Sequence, residues 1–243
     1  MAQNLLSFSG HLDEFRRRLL ISLAAVAAAA AFCFVFIDEV MAVLFAPIRP
    51  HLGELYFFSP TDAFVIKIKA ALLAGFVIAS PLVFCQLWLF ISPALHAKEK
   101  RALLPVVFVM SFLFLAGALF CFFSVLPLTL DFLIRQQTAY LKPMLSMNEY
   151  MGFLSGMVMA FGIAFNLPLA VVALVALGFA RVATLNRFQR HVIVLIFIGA
   201  AVLTPGPDIA TQLLLAVPLV LLFEMSIAAS WIVEVLSKRG RRA

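Results

Sequence analysis

Charge is what this sequence has least of. Asp, Glu, Lys and Arg make up 12% of its 243 residues, against about 25% in soluble globular domains. That shortage excludes an ordinary water-soluble domain. Cysteine is also scarce, with 3 residues. Cys33, Cys85 and Cys121 all lie inside apolar runs, with no C-x-x-C and no metal-ligand spacing. They read as small hydrophobes in packed helices, so no metal site and no disulfide framework is expected. The 4 histidines are scattered over separate segments. H-E-x-x-H, a Walker loop and G-x-S-x-G are all missing, which argues against an enzyme and against a bound cofactor.

What is present is apolar. Hydrophobic residues are 65% of the chain and mean hydropathy is +1.11. The fold class expected is all-α, a polytopic membrane protein forming a single domain over residues 1–243. Six spans are predicted, near residues 19–37, 68–90, 103–126, 150–178, 192–203 and 209–231. The first follows Arg16, Arg17 and Arg18. At 19 residues it rises about 28 Å, close to the hydrocarbon thickness and longer than a signal-peptide core. Pro81 is expected to interrupt the second span and Pro127 to close the third. The fourth is about 43 Å long if wholly helical, so it must tilt, kink or protrude. Pro168 within it frees the carbonyl of Ala164. The 12 apolar residues of the fifth rise only about 18 Å, so the last two spans are expected to be a short hairpin in thinned bilayer.

Basic residues set the orientation. Of 18 Lys and Arg, most fall in one set of alternate segments: Arg16, Arg17 and Arg18; Lys98, Lys100 and Arg101; Arg181, Arg187 and Arg190; Lys238, Arg239, Arg241 and Arg242. Only Arg49, Lys67, Lys69, Arg135 and Lys142 fall in the other set. Positive residues stay inside, so both termini are predicted to be cytoplasmic. The pI near 9.6 is then explained by topology and anionic lipid, with no nucleic-acid partner.

A few polar residues stand in or beside the apolar runs. Gln86 and Gln212 suit hydrogen bonds between neighbouring helices. Glu224 is about 24 Å along its helix from Asp208, towards the cytoplasmic interface, as a paired structural carboxylate or a partner contact. Asn166 lies near mid-membrane, beside Pro168. It suits either a structural helix–helix bond or a docking contact for another membrane helix. Glu14 and Glu99 are acids set among basic cytoplasmic residues. Local pairing, as between Glu14 and Arg18 one turn on, is one reading. A shallow acidic site for a cationic peptide is the other, and paired carboxylates would favour arginine over lysine.

Four stretches carry a family resemblance: H-L-D-E-F-R-R-R-L at 11–19, P-L-V-F-C-Q-L-W-L-F-I-S-P-A-L at 81–95 followed by Glu99, F-G-I-A-F-N-L-P at 161–168, and L-T-P-G-P-D-I-A-T-Q at 203–212. In this order, between six spans, they resemble the TatC family of twin-arginine (Sec-independent) protein translocases. The resemblance implies a glove-shaped six-helix receptor for arginine-pair signal peptides of folded cargo. It would export them with single-span partners of the TatA and TatB type, driven by proton motive force. It implies self-association in a larger complex within a bacterial inner membrane. Glu14, Arg16, Phe90, Leu95 and Glu99 would bind the signal. Asn166, Gln212 and Glu224 would meet partner helices. His11, Pro47, Pro81, Gln86, Pro93, Pro168, Pro205 and Asp208 are the motif's structural positions. The family usually has Glu where Asn166 stands, and an aromatic where Cys85 stands. A small ion-coupled secondary transporter is the competing reading. It would need a polar cavity near mid-membrane, commonly with broken helices.

Overall fold

The computed structural model describes residues 2–48, 59–91, 103–135, 146–176, 182–203 and 209–240. Nine α-helices are present among the described residues: α1 (Ala2–Val35), α2 (Ile37–Leu44), α3 (Asp62–Ile91), α4 (Leu103–Phe120), α5 (Leu126–Arg135), α6 (Met147–Ala164), α7 (Leu167–Ala176), α8 (Val182–Leu203) and α9 (Ile209–Gly240). Among the described residues, six stretches are long and apolar enough to cross a membrane: Leu12–Val35, Asp62–Phe90, Pro105–Leu133, Met147–Val175, Val182–Leu203 and Ile209–Ile232. The all-α, six-span expectation holds. The chain divides into two compact units, Met1–Phe45 with Thr61–Phe112, and Ala46–Pro60 with Leu113–Ala243.

In the first unit α1 packs along α3. Small side chains make this contact: Ala30, Cys33, Ala70 and Ala71 are buried. Gly75 is the point of closest approach. A Cβ built there would lie 2.5 Å from the Ala30 backbone nitrogen. Without a hydrophobic drive between helices in lipid, such close backbone packing is what holds two spans together. Pro81 does not interrupt α3, contrary to expectation. Proline removes the N–H that would bond the Val77 carbonyl. The Ser80 hydroxyl donates to that carbonyl instead, at 2.8 Å, and Ser80 is buried. The orphaned acceptor is satisfied locally, so the helix continues.

The second unit departs further from the sequence pattern. Pro127 does not close the third span. The helix widens into a π-helical turn at Cys121–Val125 and runs on as α5 to Arg135. A π turn shifts the ladder by one residue, which accommodates a proline that a regular α-turn would reject. The fourth span does kink: α6 stops at Ala164 and α7 starts at Leu167. Pro168 sits in the first turn of α7, where a missing N–H costs nothing. Tight packing flanks the kink, with a Gly162 Cβ falling 2.5 Å from the buried Phe114 ring. The 12 apolar residues near 192–203 are the second half of a helix of 22 residues. Its polar first half lies outside the span predicted from apolar residues. Val175, Val182, Phe223 and Ile227 close a small core between α7, α8 and α9.

Candidate functional site

Glu14 and Arg18 lie one helical turn apart on α1, so their side chains meet on one face. Arg18 donates to Glu14 Oε1 twice, from Nη2 at 2.7 Å and from Nε at 3.1 Å. Packing of α1 on α3 brings in a third residue: Arg18 Nη1 donates to Gln86 Oε1 at 3.2 Å. The local pair was readable from spacing. The bond to Gln86, 68 residues away in the chain, was not, because only helix pairing creates it.

This link separates two recesses in the first unit. One, of about 510 Å³, is lined chiefly by Asp13, Glu14, Arg17, Arg18, Gln86 and Leu89. The other, of about 200 Å³, is mainly apolar and includes Phe15, Leu19, Phe84, Leu87 and Phe90. The Phe15 and Phe90 rings meet edge-on with centroids 5.4 Å apart. A polar recess with a reachable carboxylate thus adjoins an apolar one. That arrangement suits a ligand with a guanidinium beside a hydrophobic stretch.

The remaining expected site residues fall in several places. Arg16 is exposed, while Arg17 and Arg18 line the polar recess. Leu95 and Glu99 lie outside the described residues, as do Pro93, Pro205 and Asp208. His11 falls within α1, and Pro47 in a turn after α2. Gln212 Nε2 donates to the Phe197 carbonyl at 2.9 Å, tying α9 to α8. Glu224 accepts from Gln189 Nε2 of α8. No local pattern in the sequence marks Gln189 as the partner of Glu224, or Arg17 as a lining residue. Arg17 was one of three consecutive arginines, and only the helix pairing shows which of them face the recess. Among the described residues no group of three His, Cys, Asp or Glu stands close enough to hold a metal.

Asn166 occupies the kink itself. Its backbone N–H has moved to the Ile163 carbonyl, at 3.0 Å. The Gly162 carbonyl would otherwise lose its donor, and the Asn166 side chain supplies one, Nδ2 to Gly162 O at 3.1 Å. The amide therefore bonds its own helix rather than a neighbouring span. Its Oδ1 is buried and has no hydrogen-bond partner among the described residues. An ionised Glu could not replace this amide, because a carboxylate has no proton to give. Asn166→Leu is expected to cost about 1 kcal/mol by orphaning the Gly162 carbonyl. Thermal unfolding in detergent, against wild type, checks this.

A family model described as "Sec-independent protein translocase protein (TatC)" matches residues 10–218. The chain belongs to the TatC family. It is a multi-pass membrane protein. It is 38% identical over 223 residues to the TatC of Desulforapulum autotrophicum, covering 90% of this chain and 82% of that one. With the TatC of Aquifex aeolicus it shares 41% identity over 221 residues, covering 89% and 91%. Its fold is similar to the crystal structure of "Twin Arginine Translocase Receptor- TatC", with TM-score 0.83 and 40% identity over 92% of this chain and 99% of the other. The resemblance seen in the four sequence stretches is thus confirmed at the level of the family and the fold.

Proposed function

We propose that the chain is the receptor and core subunit of a twin-arginine protein translocase. It recognises arginine-pair signal peptides of folded proteins. It exports that cargo with single-span partners of the TatA and TatB type, using proton motive force and no catalytic step of its own. The membrane is a bacterial inner membrane, and the chain self-associates within a larger complex. The observation that supports this reading is the partly exposed Glu14 carboxylate in the polar recess, which shares Arg18 and Gln86 with the apolar recess that holds the Phe15–Phe90 contact. Glu99, Leu95 and Arg16 complete the proposed binding surface.

Crosslinking a photoreactive signal peptide to the purified protein tests this. A peptide with R-R is expected to label the protein strongly, and a K-K peptide weakly, because lysine cannot make the forked contact. Equal labelling would remove the arginine site. An ion-coupled transporter would instead take up solute alone in liposomes, and no such uptake is expected.

Both termini are placed in the cytoplasm, where basic residues are retained. A reporter active only outside the cytoplasm should then work when inserted at residues 49–58 or 136–145. It should fail at the C-terminus, and activity there would reverse the orientation. Asn166, Gln212 and Glu224 are proposed to face partner helices. The Asn166 side chain is only partly buried at the kink between α6 and α7, which leaves room for a partner helix to pack there. Asn166→Leu should therefore weaken partner co-purification more than signal binding.

A further inference from the structure

We propose that Arg18 is the resident occupant of the arginine site. In the empty receptor its guanidinium holds the Glu14 carboxylate, and an incoming signal arginine takes its place. This rests on the reading of Glu14 as a signal-binding residue.

Three observations carry it. First, Arg18 already makes two charge-assisted bonds to the Glu14 carboxylate, with Nη2 and Nε both donating to Oε1. Secondly, the guanidinium is held from its other side by Gln86. An isolated i,i+4 ion pair on a helix shifts its equilibrium only about twofold. The second anchor makes occupancy more persistent than that. Thirdly, neither partner is sealed in: the side chains of Arg18 and Glu14 are 23% and 31% exposed. A ligand can reach the carboxylate, and Arg18 has a route outward.

Charge balance points the same way. The polar recess carries Asp13 and Glu14 against Arg17 and Arg18. With Arg18 in place there is no net charge to draw in a dibasic peptide. With Arg18 swung out, the recess is acidic. Exchange of one guanidinium for another also leaves no carboxylate uncompensated, which would be costly at a partly buried site. Because Arg18 is tethered one turn away, its effective concentration at Glu14 is high. It therefore sets a threshold that a weakly bound peptide does not cross.

A resident competitor has a specific signature. It weakens every ligand that displaces it by the same factor. Arg18→Gln is expected to tighten binding of an R-R peptide about three- to fivefold. It should tighten a K-K peptide by that same factor, leaving their ratio unchanged. Arg18→Lys keeps the charge but loses the fork, so it should recover much of the gain. The measurement is peptide affinity for the full-length protein in nanodiscs, for wild type, both Arg18 variants and Glu14→Gln. If Arg18→Lys behaves as wild type while Arg18→Gln binds more tightly, Arg18 acts only by long-range repulsion and the proposal fails. If either Arg18 variant weakens binding, Arg18 is a prop for Glu14 and the proposal also fails. Unchanged R-R binding by Glu14→Gln overturns the signal-site reading itself, a separate result. Should Arg18→Gln not fold, Arg18→Lys alone decides, since tighter binding supports occupancy and wild-type or weaker binding refutes it.

Discussion

Glu99→Lys is expected to abolish docking of a twin-arginine signal, and Glu14→Ala to weaken it by up to about fivefold. A charge-assisted hydrogen bond between carboxylate and guanidinium contributes roughly 1.5–3 kcal/mol. Glu14 is partly exposed, so solvent screening brings its share to about 1 kcal/mol. The Arg18 contact lowers the apparent effect further, since part of the Glu14 interaction is already made within the chain. Glu99 lies outside the described residues, and its role is proposed from the family motif. Reversing its charge replaces attraction by repulsion towards two arginines, hence the larger loss. Phe90→Ala should also impair docking, but with weaker salt dependence, because it removes apolar contact and the edge-on ring pair with Phe15. Peptide binding at low and high salt, beside protein abundance, separates these effects. Normal binding by a Glu14→Ala, Glu99→Ala double variant would falsify the site.

Gly75→Ala is expected to cost about 1–3 kcal/mol of stability, and Gly75→Leu enough to prevent α1 docking on α3. The added Cβ would meet the Ala30 backbone, at 2.5 Å from its nitrogen and 2.6 Å from its Cα. Backbone cannot rotate away as a side-chain tip can, so the helices must separate. Separation undoes the packing that places Gln86 beside Arg18. Signal binding should fall together with thermal stability. Gly152→Ala is the control. Nothing lies within 4 Å of a Cβ at that position. Alanine there should be neutral or stabilise the helix by up to about 1 kcal/mol. Equal effects at the two glycines in a detergent melting assay would refute close approach as the reason for Gly75.

The helix interruptions expected at Pro81 and Pro127 are absent while the one at Pro168 is present, and one physical point separates them. Pro81, Pro127 and Pro168 look alike in the sequence, each set within or beside an apolar run. Their outcomes differ with the fate of the carbonyl one turn back. At Pro81 the Ser80 hydroxyl takes up the Val77 carbonyl, and the helix continues. At Pro127 a π-helical turn absorbs the misfit. At Pro168 the helix breaks just before the proline, which then sits in the first turn of α7 where its missing N–H is not needed, and the Asn166 amide bonds the Gly162 carbonyl left at the break. The fifth span is longer than its apolar run for a different reason. Its first half carries Thr184, Asn186, Arg187, Gln189, Arg190 and His191. Apolar periodicity does not report polar residues that are helical, although Gln189 is tied to Glu224 of α9.

The sequence by itself determined that this is a helical membrane protein with six spans. Burying backbone in lipid demands helices, and each needs a run of apolar residues long enough to see directly. The four motifs determined the family for the same reason, since each is contiguous in the chain. Local spacing also determined the Glu14–Arg18 pair, because residues one turn apart must meet on a helix. Tertiary structure alone decided which of the neighbouring polar residues act together. Gln86 reaches Arg18, and Phe15 reaches Phe90, only because glycine and alanine let α1 and α3 approach at Gly75 and Ala30. That contact depends on distances between segments far apart in the chain, which no local pattern encodes.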